Sequence, residues 1–124
     1  MGFLDGLMGN ASETSVTAVE SEIKDLLTSS EHVEHAYKLI RDLFVFTNKR
    51  LILIDKQGVT GKKIEYHSIP YKSIVHFSVE TAGNFDLDAE LKIWLSAGGL
   101  IEKRFNKTLN IYKVQNVLAE YVLK

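Results

Sequence analysis

Twelve residues constrain the fold of this chain more than any others. Residues 44–55, "FVFTNKRLILID", hold two apolar runs, Phe44-Val45-Phe46 and Leu51-Ile52-Leu53-Ile54, on either side of Thr47-Asn48-Lys49-Arg50. Successive side chains of a strand point to opposite faces, so an unbroken apolar run is buried on both. Runs this short, rich in β-branched and aromatic residues, read as strands. Asn48-Lys49 reads as a tight hairpin, with Asn where a positive φ is tolerated and the two cations solvated at the tip. On that register Leu51 and Leu53 face a barrel interior. Ile52 and Ile54 then need a second cover, which is either the N-terminal helix of the same chain or another subunit.

The chain has 124 residues, the size of one domain, and folding can bury about 65% of its unfolded surface. "GFLDGLMGNAS" at the start is Gly-rich, with Phe3, Leu4, Leu7 and Met8 able to cluster on one side of a helical turn. "SETSVTAVESEIKDLL" follows, with Ser12 or Thr14 as the expected cap, an acid in the first turn, and Val16, Val19, Ile23, Leu26 and Leu27 as an apolar stripe at helical spacing. We divide the chain into residues 1–30, a mobile start and helix, and residues 31–124, the main domain.

Within the main domain the period changes to that of strands. "EHAYKLI", "LFVFT", "RLILID", "KKIEYHSI", "SIVHFSVE", "AELKIWLS" and "LIEKRFN" make about seven, separated by Gly, Asn and Asp turns and by the single proline, Pro70. Val75, Phe77 and Val79 are expected to face one way. Leu91, Ile93 and Leu95 face inward and Lys92 and Trp94 outward, while Ile101 and Phe105 face inward. "TLNIYKVQNVLAEYVLK" closes the chain as an amphipathic helix, with Ile111, Val114, Leu118, Tyr121 and Val122 on one side and Asn110 or Thr108 as its cap.

Composition removes several classes of function. There is no cysteine, hence no disulfide, no thiol catalysis and no zinc–thiolate or iron–sulfur site, which suits a reducing cytoplasm. The net charge is −1, without the basic excess that nucleic-acid binding draws on. The N-terminus lacks the cationic region and long apolar core of a secretory signal. Cytoplasmic location is the expectation.

About seven short strands followed by one amphipathic helix resemble the pleckstrin-homology (PH) pattern. "IRDLFVFTNKRLILIDKQGVTGKK", "YHSIPYKSIVHFSVETAG" and "FDLDAELKIW" resemble the bacterial PH-like family formerly described as a domain of unknown function. The resemblance covers most of the chain from residue 34 onward. It implies a PH-like barrel of about seven antiparallel strands in two sheets, capped by the C-terminal helix, no enzyme activity, and assembly into homo-oligomeric rings. It implies no ligand. Eukaryotic relatives cradle inositol phosphates with several cations around a roomy loop between strands one and two. Here that junction, "IRDL", offers only Arg41 beside Asp42, so phosphoinositide binding is not expected.

Motifs for chemistry are incomplete. "GVTGKK" has two residues between its glycines where a phosphate loop has four, which leaves Arg41, Lys62 and Lys63 as a weak anion contact at most. Asn84, Asp86, Asp88 and Glu90 open like a calcium loop, but the later Gly and acid positions hold Ala89 and Leu95. His32, His35, His67 and His76 are spaced as sheet positions. No catalytic, metal-ligating or cofactor-binding residue is assigned. The expectation is a non-catalytic PH-like module that self-associates and binds a protein or peptide, with Trp94, Ile52 and Ile54 at the interface between copies. The alternative is peripheral membrane binding through the apolar "MGFLDGLM", which lacks the polybasic half of a stable anchor.

Overall fold

Ser15 caps the first helix in the computed structural model, its hydroxyl accepting from the Ala18 N–H at 3.2 Å. The structure describes residues 15–39, 42–57, 63–81, 89–105 and 110–124. The helix, α1 (Val16–Glu22), is two turns long and has no acid in its first turn. The expected caps Ser12 and Thr14 lie outside the described residues, and the stripe beyond Ile23 continues in turns.

Four antiparallel strands follow in sequential order: β1 (Val33–Lys38), β2 (Asp42–Thr47), β3 (Arg50–Gln57) and β4 (Lys63–Pro70). Their register separates the two faces of the apolar runs. Ala36 pairs with Val45, and Val45 with Ile52, while Leu43 pairs with Ile54. These residues join Val33, Val19 and Ile23 in one buried cluster, with Val16, Leu26, Leu27 and Ile64 packed at its edge. The other face carries Tyr37, Phe44, Phe46, Leu51 and Leu53, all buried. There the Tyr37 and Phe44 rings meet Phe46 edge to face at 6.1 and 5.7 Å.

The second cover for Ile52 and Ile54 is therefore the chain's own α1 and the turns after it. Both side chains are fully buried, which corrects their assignment to an interface between copies. Each contributes about 1.5–3 kcal/mol by leaving water within its own chain.

Pro70 opens a second compact unit. It holds a 3-10 turn (Tyr71–Ser73), β5 (Ile74–Glu80), β6 (Ala89–Leu95), β7 (Leu100–Phe105) and α2 (Ile111–Val122). Its strands form an antiparallel sheet in the order β5-β6-β7. Leu91, Ile93 and Phe105 are buried on one face, with Phe77, Val79, Leu95 and Ile101 half-buried beside them. A register shift between Ile74 and His76 turns Val75 outward, 59% exposed, so Val75 does not share the face of Phe77 and Val79 as expected. Between β6 and β7, Gly98 takes φ +93°, the one positive φ among the described residues, where a side chain would be strained. Asn110 caps α2 by accepting from the Tyr112 N–H at 3.0 Å. Ile111, Val114 and Leu118 form the buried stripe of α2, which packs against β5 and the 3-10 turn, where Tyr121 stacks on Tyr71 at 4.6 Å.

Candidate functional site

Thr47 and Arg50, from between the two apolar runs, are drawn into a largely buried network around Glu31. The Glu31 side chain is fully buried and Arg50 is 21% exposed. The Arg50 Nε donates to Glu31 Oε2 at 2.8 Å, and its Nη2 to Oε1 at 2.9 Å. This two-pronged fit of guanidinium on carboxylate adds direction as well as energy. The Thr47 hydroxyl donates to Oε2 at 2.6 Å and the Thr28 N–H to Oε1 at 3.1 Å. Burial alone would raise the Glu31 carboxyl. The bonds from Arg50, Thr47 and Thr28 and the guanidinium charge outweigh it and hold the group at about 2.

Two further Arg50 donors reach Leu26 O at 2.7 Å and Ser68 Oγ at 2.9 Å. Thr47 Oγ1 also accepts from the Lys49 and Arg50 N–H groups at 3.0 and 2.9 Å, so its one proton and two lone pairs are all used. That hydroxyl, rather than a positive φ at Asn48, shapes the hairpin. Asn48 instead ties down the segment before β1: its Oδ1 accepts from the His32 N–H at 2.8 Å, and its Nδ2 donates to Ser30 O at 3.1 Å. Arg50 is thus a clamp and not the solvated tip cation expected of it, while Lys49 remains exposed. A saturated carboxylate held at about 2 is far from the neutral range in which a general acid or base works. The network is structural.

Of the other candidates only some lie among the described residues. Lys63 is exposed at the start of β4, and Arg41 and Lys62 lie outside the described residues, as do Asn84, Asp86 and Asp88. His32 Nε2 meets Glu34 Oε2 at 3.0 Å, and His35 lies edge-on to Phe46 at 6.4 Å. Among the described residues no group of three or more His, Asp or Glu side chains is placed to hold a metal.

The outer face of the second sheet is different. The register aligns three rows across β5, β6 and β7: His76–Trp94–Leu100, Ser78–Lys92–Glu102 and Glu80–Glu90–Arg104. All nine side chains are exposed or half-buried. Trp94 points outward as its strand's alternation predicts, and its indole stacks on the His76 ring at 4.4 Å and 27°. Leu100 is 47% exposed and Val75 stands beside His76. The apolar surface therefore gathers at the end of the sheet next to the β6–β7 turn. Lys92 reaches Glu102 at 3.9 Å in the next row. Sequence reasoning found Trp94 and missed its neighbours His76, Leu100 and Val75, since only strand register brings them together.

Four strands and then three, with a C-terminal helix, are the PH-like arrangement. The model of the bacterial PH domain family matches residues 2–122, and the chain belongs to that family. It is 62% identical over 121 residues to the uncharacterized protein YjqA of Bacillus subtilis (strain 168), covering 96% of this chain and 97% of YjqA. The crystal structure of a pleckstrin homology domain from Shewanella amazonensis SB2B superposes with a TM-score of 0.86 at 55% identity, covering 98% of this chain and 99% of that one. A DUF1696 family protein with a pleckstrin-homology domain from Shewanella loihica PV-4 gives 0.81 at 49% identity, covering 90% and 96%. No helix among the described residues is long and apolar enough to cross a membrane.

Proposed function

We propose that the protein is a cytoplasmic, non-catalytic PH-like interaction module that self-associates into a homo-oligomer larger than a dimer. In assembled form it presents repeated copies of itself to a protein or peptide partner, and multivalency raises avidity without new contacts. One observation carries the reading. Trp94, the single tryptophan of the chain, lies on an open sheet face among His76, Leu100 and Val75. Tryptophan is enriched among residues that dominate binding energy. The charged rows beside it supply the polar rim of such an interface. The proposal includes no inositol phosphate, since the junction between β1 and β2 offers a single cation, Arg41, beside Asp42.

Light scattering coupled to size exclusion at about 10 μM tests the reading, a concentration that populates any interface of micromolar affinity or better. The expected outcome is an oligomer, with dissociation into smaller species on Trp94→Glu, because an unpaired carboxylate in an interface is costly. A wild-type monomer would overturn the proposal.

A further inference from the structure

The apolar strip on the first sheet is covered by a weakly anchored helix. Ala36, Leu43, Val45, Ile52 and Ile54 form the strip, and Val19 of α1 and Ile23 at its C-cap pack with them in one buried cluster. The turns after the helix are pinned to the β2–β3 hairpin and to each other. Arg50 holds Leu26 O, Glu31 holds the Thr28 N–H, and Asn48 holds Ser30 O and the His32 N–H. α1 itself rests on the burial of Val19 and Ile23. Glu20 adds one bond, its Oε1 accepting from the Val33 N–H at 2.7 Å. Glu22 lies 3.8 Å from Lys56, their side chains 43% and 42% exposed, a pair that contributes little. Seven residues make too short a helix to persist once it leaves the sheet. Segments with few buried contacts are the ones that open locally while the rest stays folded.

α1 also shows what the strip accepts. Its apolar residues stand at i, i+3 and i+7, as Val16, Val19 and Ile23, and Leu26 and Leu27 continue the stripe. That is the pattern of a helix laid in a groove. An acid at i+4, Glu20, meets the Val33 N–H at the start of β1, and an acid at i+6, Glu22, faces Lys56.

We propose that the strip beneath α1 is a docking groove for an acidic amphipathic helix of a partner protein, and that α1 is the lid that fills it in the partner's absence. The inference rests on the partner binding proposed above, whose chemistry it names, and does not require self-association. The partner's helix is longer than α1. It then buries more apolar surface than Val19 and Ile23 do, and so displaces a lid whose tether gives it an effective concentration of about millimolar. The α1 of a second copy brings no such gain, because it offers the same contacts and must first leave its own sheet.

The absence of cysteine from the chain makes the lid directly testable. Val45→Cys places a thiol in the strip under α1, and Leu51→Cys places one on the opposite, equally buried face. In the full chain the first thiol should react with an aromatic disulfide reagent about tenfold faster than the second or more. Low urea should barely change the first rate, because lifting α1 exposes far less surface than global unfolding does. Circular dichroism confirms that each variant is folded, and Ile54→Cys replaces Val45→Cys if the latter is not. Equal rates with equal urea dependence would overturn the lid.

The probe for the groove is a synthetic peptide of about 18 residues, five helical turns. It carries leucine at i, i+3, i+7, i+10 and i+11 and glutamate at i+4 and i+6. The control has the same composition with its leucines scattered around the helix. At about millimolar concentration, matching the tether, the striped peptide should slow the Val45→Cys reaction saturably and the control should not. Lysine in place of the two glutamates should weaken it severalfold. Glu20→Ala raises the fraction of open molecules, so it should speed the thiol reaction and tighten the striped peptide by the same factor. Absence of protection, equal protection by the control, or an affinity indifferent to Glu20→Ala would overturn the groove. Protection that grows with protein concentration in the absence of peptide would make a second copy the occupant and overturn the partner. A monomeric wild type in light scattering removes self-association and leaves all of these readouts intact.

Discussion

Glu31 and Arg50 show how much one pair of side chains decides. A carboxylate fully removed from water would be expensive alone. Here it receives four hydrogen bonds, two of them from the same guanidinium. The group is held at about 2 against an ordinary value of 4.5. Its folded value is depressed, so its contribution to stability is fully present above pH 4.5 and is lost as pH falls toward about 2. A shift of this size corresponds to about 3 kcal/mol, a sizeable part of the ~5–15 kcal/mol that holds a domain together. Glu31→Gln is expected to lower the unfolding free energy at pH 7 by about 3 kcal/mol, because it leaves Arg50 without a counter-charge. Urea titrations from pH 7 down should show the gap between variant and wild type narrowing below pH 4.5. A gap that does not change with pH would mean that the charge of Glu31 is not what stabilises the fold.

At the level of elements, α1 is too short to stand alone; isolated helices of two turns do not persist in water. It exists because Val16, Val19 and Ile23 complete the core over one face of the first sheet. The clamp then holds the following turns through Leu26 O and Thr28. Ile52→Ala removes a fully buried side chain from beneath the helix, and the cavity should cost about 2–5 kcal/mol. Thermal melting should register that loss. The molecules that remain folded should keep the wild-type oligomeric size, since Ile52 reaches no outer surface. If Ile52→Ala changed the size while Trp94→Glu did not, the roles given to the two sheet faces would be reversed. The second sheet shows the same division at work. Its inward residues are set by alternation along β6, and only the register shift in β5 moves Val75 out of line.

Across the whole molecule, folding draws on core burial and the Glu31 clamp, and the expectation is that it needs no metal. There is no cysteine in the chain, and among the described residues no cluster of ligands. Dialysis against EDTA should therefore leave the thermal midpoint unchanged; a fall in midpoint reversed by a divalent cation would reveal a site outside the described residues.

Sequence alone determined the strands, the hairpin between the apolar runs, the capped C-terminal helix and the outward turn of Trp94. Each depends on period, turn chemistry or capping, which act over a few neighbouring residues. It also showed that Ile52 and Ile54 need a cover, but period cannot say which apolar surface will supply it. Tertiary structure decided that α1 does so. It also decided that Arg50 leaves the hairpin tip to hold Glu31, and that His76 and Leu100 flank Trp94. Most of these partners are far apart along the chain. Hydrophobic burial is non-directional, and a charge pair becomes legible only when folding brings its two ends within a hydrogen bond of each other.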